Sequence, residues 1–239
     1  MPAQKKERTR AMRYDVLLMD ADMTIYDFHT AEREALVCVL EHLQITDPQA
    51  PQVYSRINAA CWADLEKGLI TQDELRVRRF RELAEHYGIE ADLEKTPQLY
   101  IEALSRQSQL LPGAAEAVRA LARLVPIAIV TNGIPFVQHG RFDRCELRPY
   151  IKELVISGEE GFFKPDPRLI EAALRRMRCP KERALMVGDS LGSDILGAQR
   201  AGVDACWYNP QGLPCTLERA PEYTITDLMQ LQEIILKEE

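Results

Sequence analysis

Apolar residues fall along the chain in two different rhythms. Short runs of Val, Ile, Leu, Met and Ala occupy Asp15 to Asp20, Ile127 to Thr131, Leu154 to Ser157, Ala184 to Gly188 and Asp204 to Tyr208, each bounded by Gly, Asn, Asp or Pro. Apolarity without alternation marks a strand covered on both faces. Helical spacing separates these runs. Ala114 to Leu124 follows Pro112-Gly113, and Arg168 to Met177 has Asp166 as an N-cap and Pro167 in its first turn. Alternating strands and helices predict right-handed βαβ units and a Rossmann-like, three-layer α/β core with a parallel sheet.

The second rhythm fills 26–110, where no run has strand character. Leu36, Val39, Leu40 and Leu43 keep helical spacing, as do Val53, Ile57, Ala60 and Cys61. Thr71-Gln72-Asp73-Glu74 is a capping box that opens a third helix, with Phe80, Leu83, Ala84 and Tyr87 on one face and Gly88 as its stop. Thr96-Pro97 starts a fourth, with Tyr100, Ala103 and Leu104 inward. The expected organisation is an α/β core of 1–25 and 111–239, with a helical bundle of 26–110 inserted after the first strand.

Composition narrows the function classes. The 239 residues carry a net charge of −7, so general coating of nucleic acid is disfavoured. No apolar run approaches the ~18 residues of a membrane span. The first ten residues have charge but no apolar segment behind them, so they read as a short solvated tail before Met12 and not as a signal peptide. Cys38, Cys61, Cys145, Cys179, Cys206 and Cys215 show no C-x-x-C spacing, which fits small apolar residues in a reducing cytoplasm. The four histidines are scattered, so zinc hydrolysis has no support.

Candidate chemistry collects where the strands end. Ligands of an open parallel sheet bind beyond the carboxyl ends of its strands. The first strand ends in Asp20-Ala21-Asp22-Met23-Thr24 and the second in Thr131-Asn132-Gly133. Lys164 stands just before the Asp166-capped helix, and the fourth strand ends in Gly188-Asp189-Ser190 with Asp194 five residues on. Singly, each has an ordinary reading: Asp-x-Asp and Thr-Asn-Gly as turns, Lys164 as a surface lysine, Asp194 as a charge at a helix N-terminus. Together and in order, they supply what phosphate-ester hydrolysis through an aspartyl-phosphate requires. That chemistry needs a carboxylate nucleophile, a second acid for the leaving alcohol, hard oxygen ligands for Mg²⁺, and donors for the phosphate oxygens.

This constellation resembles the haloacid dehalogenase-like (HAD) phosphohydrolase superfamily from about Tyr14 to Leu231, with the insert resembling its C1 helical cap. The resemblance implies Asp20 as nucleophile and Mg²⁺ ligand, and Asp22 as general acid/base with its backbone carbonyl on the metal. It implies Thr131 and the Asn132 N–H as phosphate holders, Lys164 as the bridge between Asp20 and phosphate, Asp189 as metal ligand, and Asp194 as ligand or outer acceptor. Met23 departs from the pattern, since many members have Gly there, and this bears on the wall of the site. The pattern Trp62…Gly68-x-Ile70…Glu74-Leu75…Arg79-Phe80 resembles the nucleoside 5′-monophosphatase branch, including pyrimidine nucleotidases. The expected substrate is then a small phosphorylated metabolite, with no nucleic-acid polymer and no membrane as partner.

Several alternatives remain open at this level: a phosphatase for phosphoglycolate or a sugar phosphate, a 2-haloacid dehalogenase, a phosphomutase, or a binding module. Asp22 speaks against the dehalogenase, whose chemistry has no leaving alcohol to protonate. The turn Leu65–Ile70 is the candidate loop over the phosphate site, against the plainer reading of a glycine-broken joint. Trp62 or Tyr87 could stack on a base, although either is as readily a core aromatic.

Overall fold

The computed structural model describes residues 12–236, so the expected tail before Met12 lies outside the described residues. Strand β1 (Val16–Met19) leads into four helices: α1 (Phe28–His42), α2 (Ala50–Glu66), α3 (Gln72–Tyr87) and α4 (Lys95–Leu104). The chain then alternates: α5 (Ala114–Leu121), β2 (Ile127–Thr131), α6 (Pro135–Arg144), β3 (Ile151–Ile156), α7 (Ser157–Glu160) and α8 (Pro167–Met177). Next come β4 (Ala184–Gly188), α9 (Leu196–Ala201), β5 (Asp204–Tyr208), β6 (Tyr223–Ile225) and α10 (Leu231–Leu236). The sheet is parallel throughout, in the order β3-β2-β1-β4-β5-β6.

Alternate residues of the buried strands face two separate cores. Leu17, Met19, Ile127, Ile129, Leu185 and Val187 pack with the apolar faces of α5 and α10. Val16, Leu18, Ala128, Val130, Ala184 and Met186 pack with α8 and α9 on the other side. This double burial explains why the strands read as continuous apolar runs. The third strand begins at Ile151, earlier than the expected Leu154, because Lys152 and Glu153 lie towards the partly exposed edge of the sheet. The three-residue β6 escapes the periodicity altogether, since only Ile225 in it is buried.

The insert helices form their own core. Ala35, Leu36 and Val39 meet Tyr54, Phe80, Leu83, Tyr100 and Leu104, and Ile134 and Val137 from the α/β layer close one side of it. The capping box at Thr71 and Glu74 is present with both of its hydrogen bonds, and Gly88 ends α3 in the left-handed conformation that glycine adopts without steric cost. The chain enters and leaves this bundle side by side: Asp27 N–H donates to Gln109 C=O (3.0 Å), and Leu111 N–H donates to Ile25 C=O (2.9 Å). Gln72 Nε2 also reaches across to Gly133 C=O (3.1 Å).

Candidate active site

The carboxyl ends of β1, β2 and β4 bring the sequence-singled residues to one rim. Asp20 directly follows β1 and is buried, and its Oδ1 accepts from Lys164 Nζ at 2.5 Å. The same ammonium donates to Asp194 Oδ1 (2.6 Å) and to Val130 C=O (2.6 Å), so all three of its protons are engaged. Lys164 is therefore no surface lysine. Its backbone is pinned by Asn132, whose Nδ2 donates to Lys164 C=O (2.9 Å) and whose Oδ1 accepts from Lys164 N–H (2.8 Å). The Asn132 side chain thus positions the lysine segment.

Asp189 and Asp194 come from the turn after β4. A five-residue π-helical turn, Leu191–Ile195, folds Asp194 back so that its Oδ2 accepts from Ser190 N–H (3.0 Å). A Cβ at Gly188 would collide with this carboxylate, so the strand must end in glycine to admit it. One oxygen from each of Asp20, Asp189 and Asp194 lies within 4.8 Å of the others.

Three carboxylates thus share one buried lysine. Burial, then Asp194, pushes the Asp20 carboxyl well above its ordinary range, with Lys164 opposing. Burial and Asp194 likewise push Asp189 up to about 7. Burial disfavours the Lys164 charge, but Asp194 and Asp20 outweigh it and hold the ammonium above its ordinary value. A hard divalent cation fits this donor set, because oxygen-only ligands with surplus negative charge are what Mg²⁺ requires.

Asp22 lies two residues beyond Asp20 and is a quarter exposed. Its Oδ1 accepts from Arg141 Nη1 (2.6 Å) and its Oδ2 from Gln138 Nε2 (3.2 Å). Gln138 Nε2 also donates to Thr131 Oγ1 (2.9 Å), which ties the second strand end to the second acid. Arg141 is 1% exposed, lies 4.6 Å from the Tyr26 ring centroid, and donates from Nε to Gln107 C=O. Directly after Asp22, Met23 takes φ +62°, a left-handed conformation that costs a side-chain-bearing residue roughly 1–2 kcal/mol. That geometry accounts for the glycine that the wider pattern favours at this position.

A cleft runs from Asp22 and Asn132 to the helical insert, where Phe28, Trp62, Arg79 and Leu104 form its wall. Its enclosed part is a cavity of about 30 Å³ that opens to solvent at its mouth. Trp62 faces this cleft and Tyr87 does not: Tyr87 donates its hydroxyl to Asp47 instead. The turn after α2 does not line the cleft either. Its Leu69 is exposed, and its Ile70 packs against the Cys61, Leu65 and Leu75 cluster that Trp62 and Phe163 also cover.

Gln138 and Arg141 did not stand out in the sequence, and Arg79 entered only as part of the nucleotidase-like pattern. The first two sit three residues apart on the helix behind Thr131-Asn132-Gly133, a spacing that puts both on one face. Arg79 hides in the basic run Arg76-Val77-Arg78-Arg79, and only its four-residue spacing from Leu75 and Leu83 betrays an inward position.

The model of haloacid dehalogenase-like hydrolases matches residues 14–202. The chain belongs to this family. HAD relatives extend over nearly its whole length. It is 36% identical over 229 residues to the pyrimidine 5′-nucleotidase PynA of Streptococcus pneumoniae, covering 95% of this chain and 97% of that protein. It is 33% identical over 233 residues to the pyrimidine 5′-nucleotidase YjjG of Escherichia coli, covering 95% and 100%. Among solved structures, the magnesium-bound HAD-hydrolase YfnB of Bacillus subtilis, described as revealing interdomain movement, superposes with a TM-score of 0.86 at 36% identity, covering 93% of this chain and 99% of that one. The protein is accordingly a HAD-family phosphatase. Among the described residues, no helix is long and apolar enough to cross a membrane.

Proposed function

We propose that the protein is a Mg²⁺-dependent phosphomonoesterase that hydrolyses nucleoside 5′-monophosphates through an aspartyl-phosphate on Asp20. The observation that carries this reading is the Asp20–Lys164–Asp194 cluster, with Asp189 beside it and Asp22 at the mouth of a cleft walled by the insert. The nucleotidase names of PynA and YjjG support the substrate class. In this reading 26–110 is the cap and 1–25 with 111–239 the catalytic core.

Asp20 and Asp189 would hold the metal, with the Asp22 backbone carbonyl as a further donor. Asp194 stands behind them, since its two oxygens already accept from Lys164 and Ser190. When bound, the ion neutralises the approach of two anions and polarises the phosphoryl group. An Asp20 carboxylate oxygen attacks phosphorus, forming the acyl-phosphate bond as the bond to the ester oxygen breaks, and the Asp22 carboxyl gives its proton to the departing oxygen. The Asp22 carboxylate then takes a proton from water, the resulting hydroxide attacks phosphorus, and the acyl-phosphate bond breaks to regenerate Asp20 and release inorganic phosphate. Lys164 offsets charge on Asp20 throughout, while Thr131 Oγ1 and the Asn132 N–H hold phosphate oxygens. Asp22 separates this reaction from halide displacement, which has no alkoxide to protonate.

A cap closing over the site suits a small metabolite and excludes a polymer. A reducing, cytoplasmic location belongs to the same reading, since Cys38 and Cys215 are exposed free thiols. A phosphate-release screen across phosphorylated metabolites tests the assignment. Turnover of UMP, dUMP or dTMP is expected. Efficient cleavage of phosphoglycolate or sugar phosphates with all nucleotides ignored would overturn the nucleotide assignment and leave the phosphatase chemistry standing.

A further inference from the structure

Helix α3 carries a buried arginine that the chemistry above does not use. Arg79 is 2% exposed, and its Nη1 donates to Asn58 Oδ1 (3.0 Å). Asn58 Nδ2 in turn donates to Glu32 Oε1 (2.7 Å), so the cation and the buried Glu32 carboxylate are joined through an amide. The guanidinium carbon lies 4.6 Å from the Tyr100 ring centroid and 5.1 Å from that of Phe80, which fixes its plane. Its Nε and Nη2 have no acceptor among the described residues.

That arrangement is expensive for a structural residue. A buried donor without a partner forfeits its bond to water and gains nothing, and a leucine would continue the Leu75–Leu83 seam of the same helix at no such cost. Arg79 also lines the cleft that begins at Asp22, beside Trp62 and Phe28. Its two spare donors are buried without acceptors beside that cleft, on the side where whatever leaves with the ester oxygen would lie. Because Glu32 already balances the arginine charge, a neutral acceptor suits this wall better than a carboxylate does.

We propose that Arg79 is a specificity-determining residue, whose Nε–H and Nη2–H receive an acceptor oxygen at the far end of the leaving group. This rests on the nucleotidase reading, in which that oxygen is a carbonyl of the pyrimidine base and Trp62 lies against the ring. Asn58 and Glu32 are positioning residues that hold the guanidinium plane.

The test uses the full chain with Mg²⁺ and compares dUMP with two analogues, each lacking one base carbonyl, and with p-nitrophenyl phosphate. For the unmodified enzyme, one analogue should lose about 10- to 100-fold in kcat/KM relative to dUMP, the scale of a hydrogen bond to a charged group. Arg79→Met should lose a similar factor on dUMP, mainly through KM, and should no longer discriminate between dUMP and that analogue. Its loss on p-nitrophenyl phosphate, which lacks the base carbonyls, should be clearly smaller than its loss on dUMP, and Arg79→Lys should recover part of the dUMP loss. If the unmodified enzyme treats both analogues as it treats dUMP, the proposal is overturned whether or not the variants fold. Equal losses on dUMP and p-nitrophenyl phosphate would overturn it too, by making Arg79 structural. If the unmodified enzyme ignores every nucleotide yet cleaves other phosphates, the nucleotidase reading itself fails and the proposal falls with it.

Discussion

Two buried charge networks lie on either side of the cleft, and they are built differently. In the core, Lys164 sits between Asp20 and Asp194 and spends all three protons, on residues fixed by strand ends. In the helical insert, Arg79 reaches Glu32 only through Asn58 and keeps two donors unspent, on residues carried by three separate helices. The saturated network suits chemistry that must not shift, because buried charges hold one geometry when every partner is present. The unsaturated one suits recognition, because it gains its last partners only when something arrives. The division of labour follows from the elements: parallel strand ends converge on one point, whereas helix faces enclose a volume.

That contrast breaks most sharply at Asp20, the proposed nucleophile. Asp20→Asn should leave the circular dichroism spectrum unchanged while lowering phosphatase turnover by at least about 10⁴-fold, and it should abolish covalent labelling by a phosphoryl mimic such as beryllium fluoride. Substantial residual turnover in a contaminant-free preparation would remove the aspartyl-phosphate. Chelation should be nearly as severe. Mg²⁺ should restore activity after dialysis and Ca²⁺ should not, since its longer and looser coordination misplaces the carboxylates. Full activity in excess chelator would show that the carboxylate cluster serves another end.

Asp22 is the residue that belongs to both sides, since it touches Arg141 and Gln138 and opens onto the cleft. Asp22→Asn should slow nucleotide hydrolysis by about 10²–10⁴-fold but slow p-nitrophenyl phosphate far less, because that leaving group needs little protonation. Matching losses on both would make Asp22 a structural anchor for Arg141. The smallest effect is expected at the latch between the layers. Gln72→Ala removes the bond to Gly133 C=O and should cost about 0.5–1.5 kcal/mol, read as a fall of a few degrees in Tm. No change in Tm would mean that this contact is replaced by water at no cost.

The two regions also differed in how openly the sequence announced them. Core residues such as Asp20, Lys164 and Asp189 are legible because each closes a continuous apolar run or precedes a capped helix, so one-dimensional order already places them on one rim. Helix existence in the insert was equally plain from the capping box at Thr71 and the stop at Gly88. The cleft itself was not legible, because it depends on how helices with similar apolar faces rotate against each other. Tyr87 and Trp62 looked equivalent, yet one turns to Asp47 and the other to the cleft. Arg79 stood in the nucleotidase-like pattern, but its inward position was masked by its basic neighbours, and Gln138 and Arg141 were masked by lying on a helix whose contacts with Thr131 and Asp22 form only across the fold.

The paired crossings at Ile25–Asp27 and Gln109–Leu111 carry a consequence for heredity. Because both ends of the insert meet the sheet layer at one doorway, its length and sequence can change without altering the spacing of any strand. The stretch between them is a cassette: a descendant gene could replace it whole and keep Asp20, Lys164 and Asp189 in register. New substrates can then be sampled by recombination at two points of the gene that meet at one doorway in the fold, while the strand-end residues beneath keep their places.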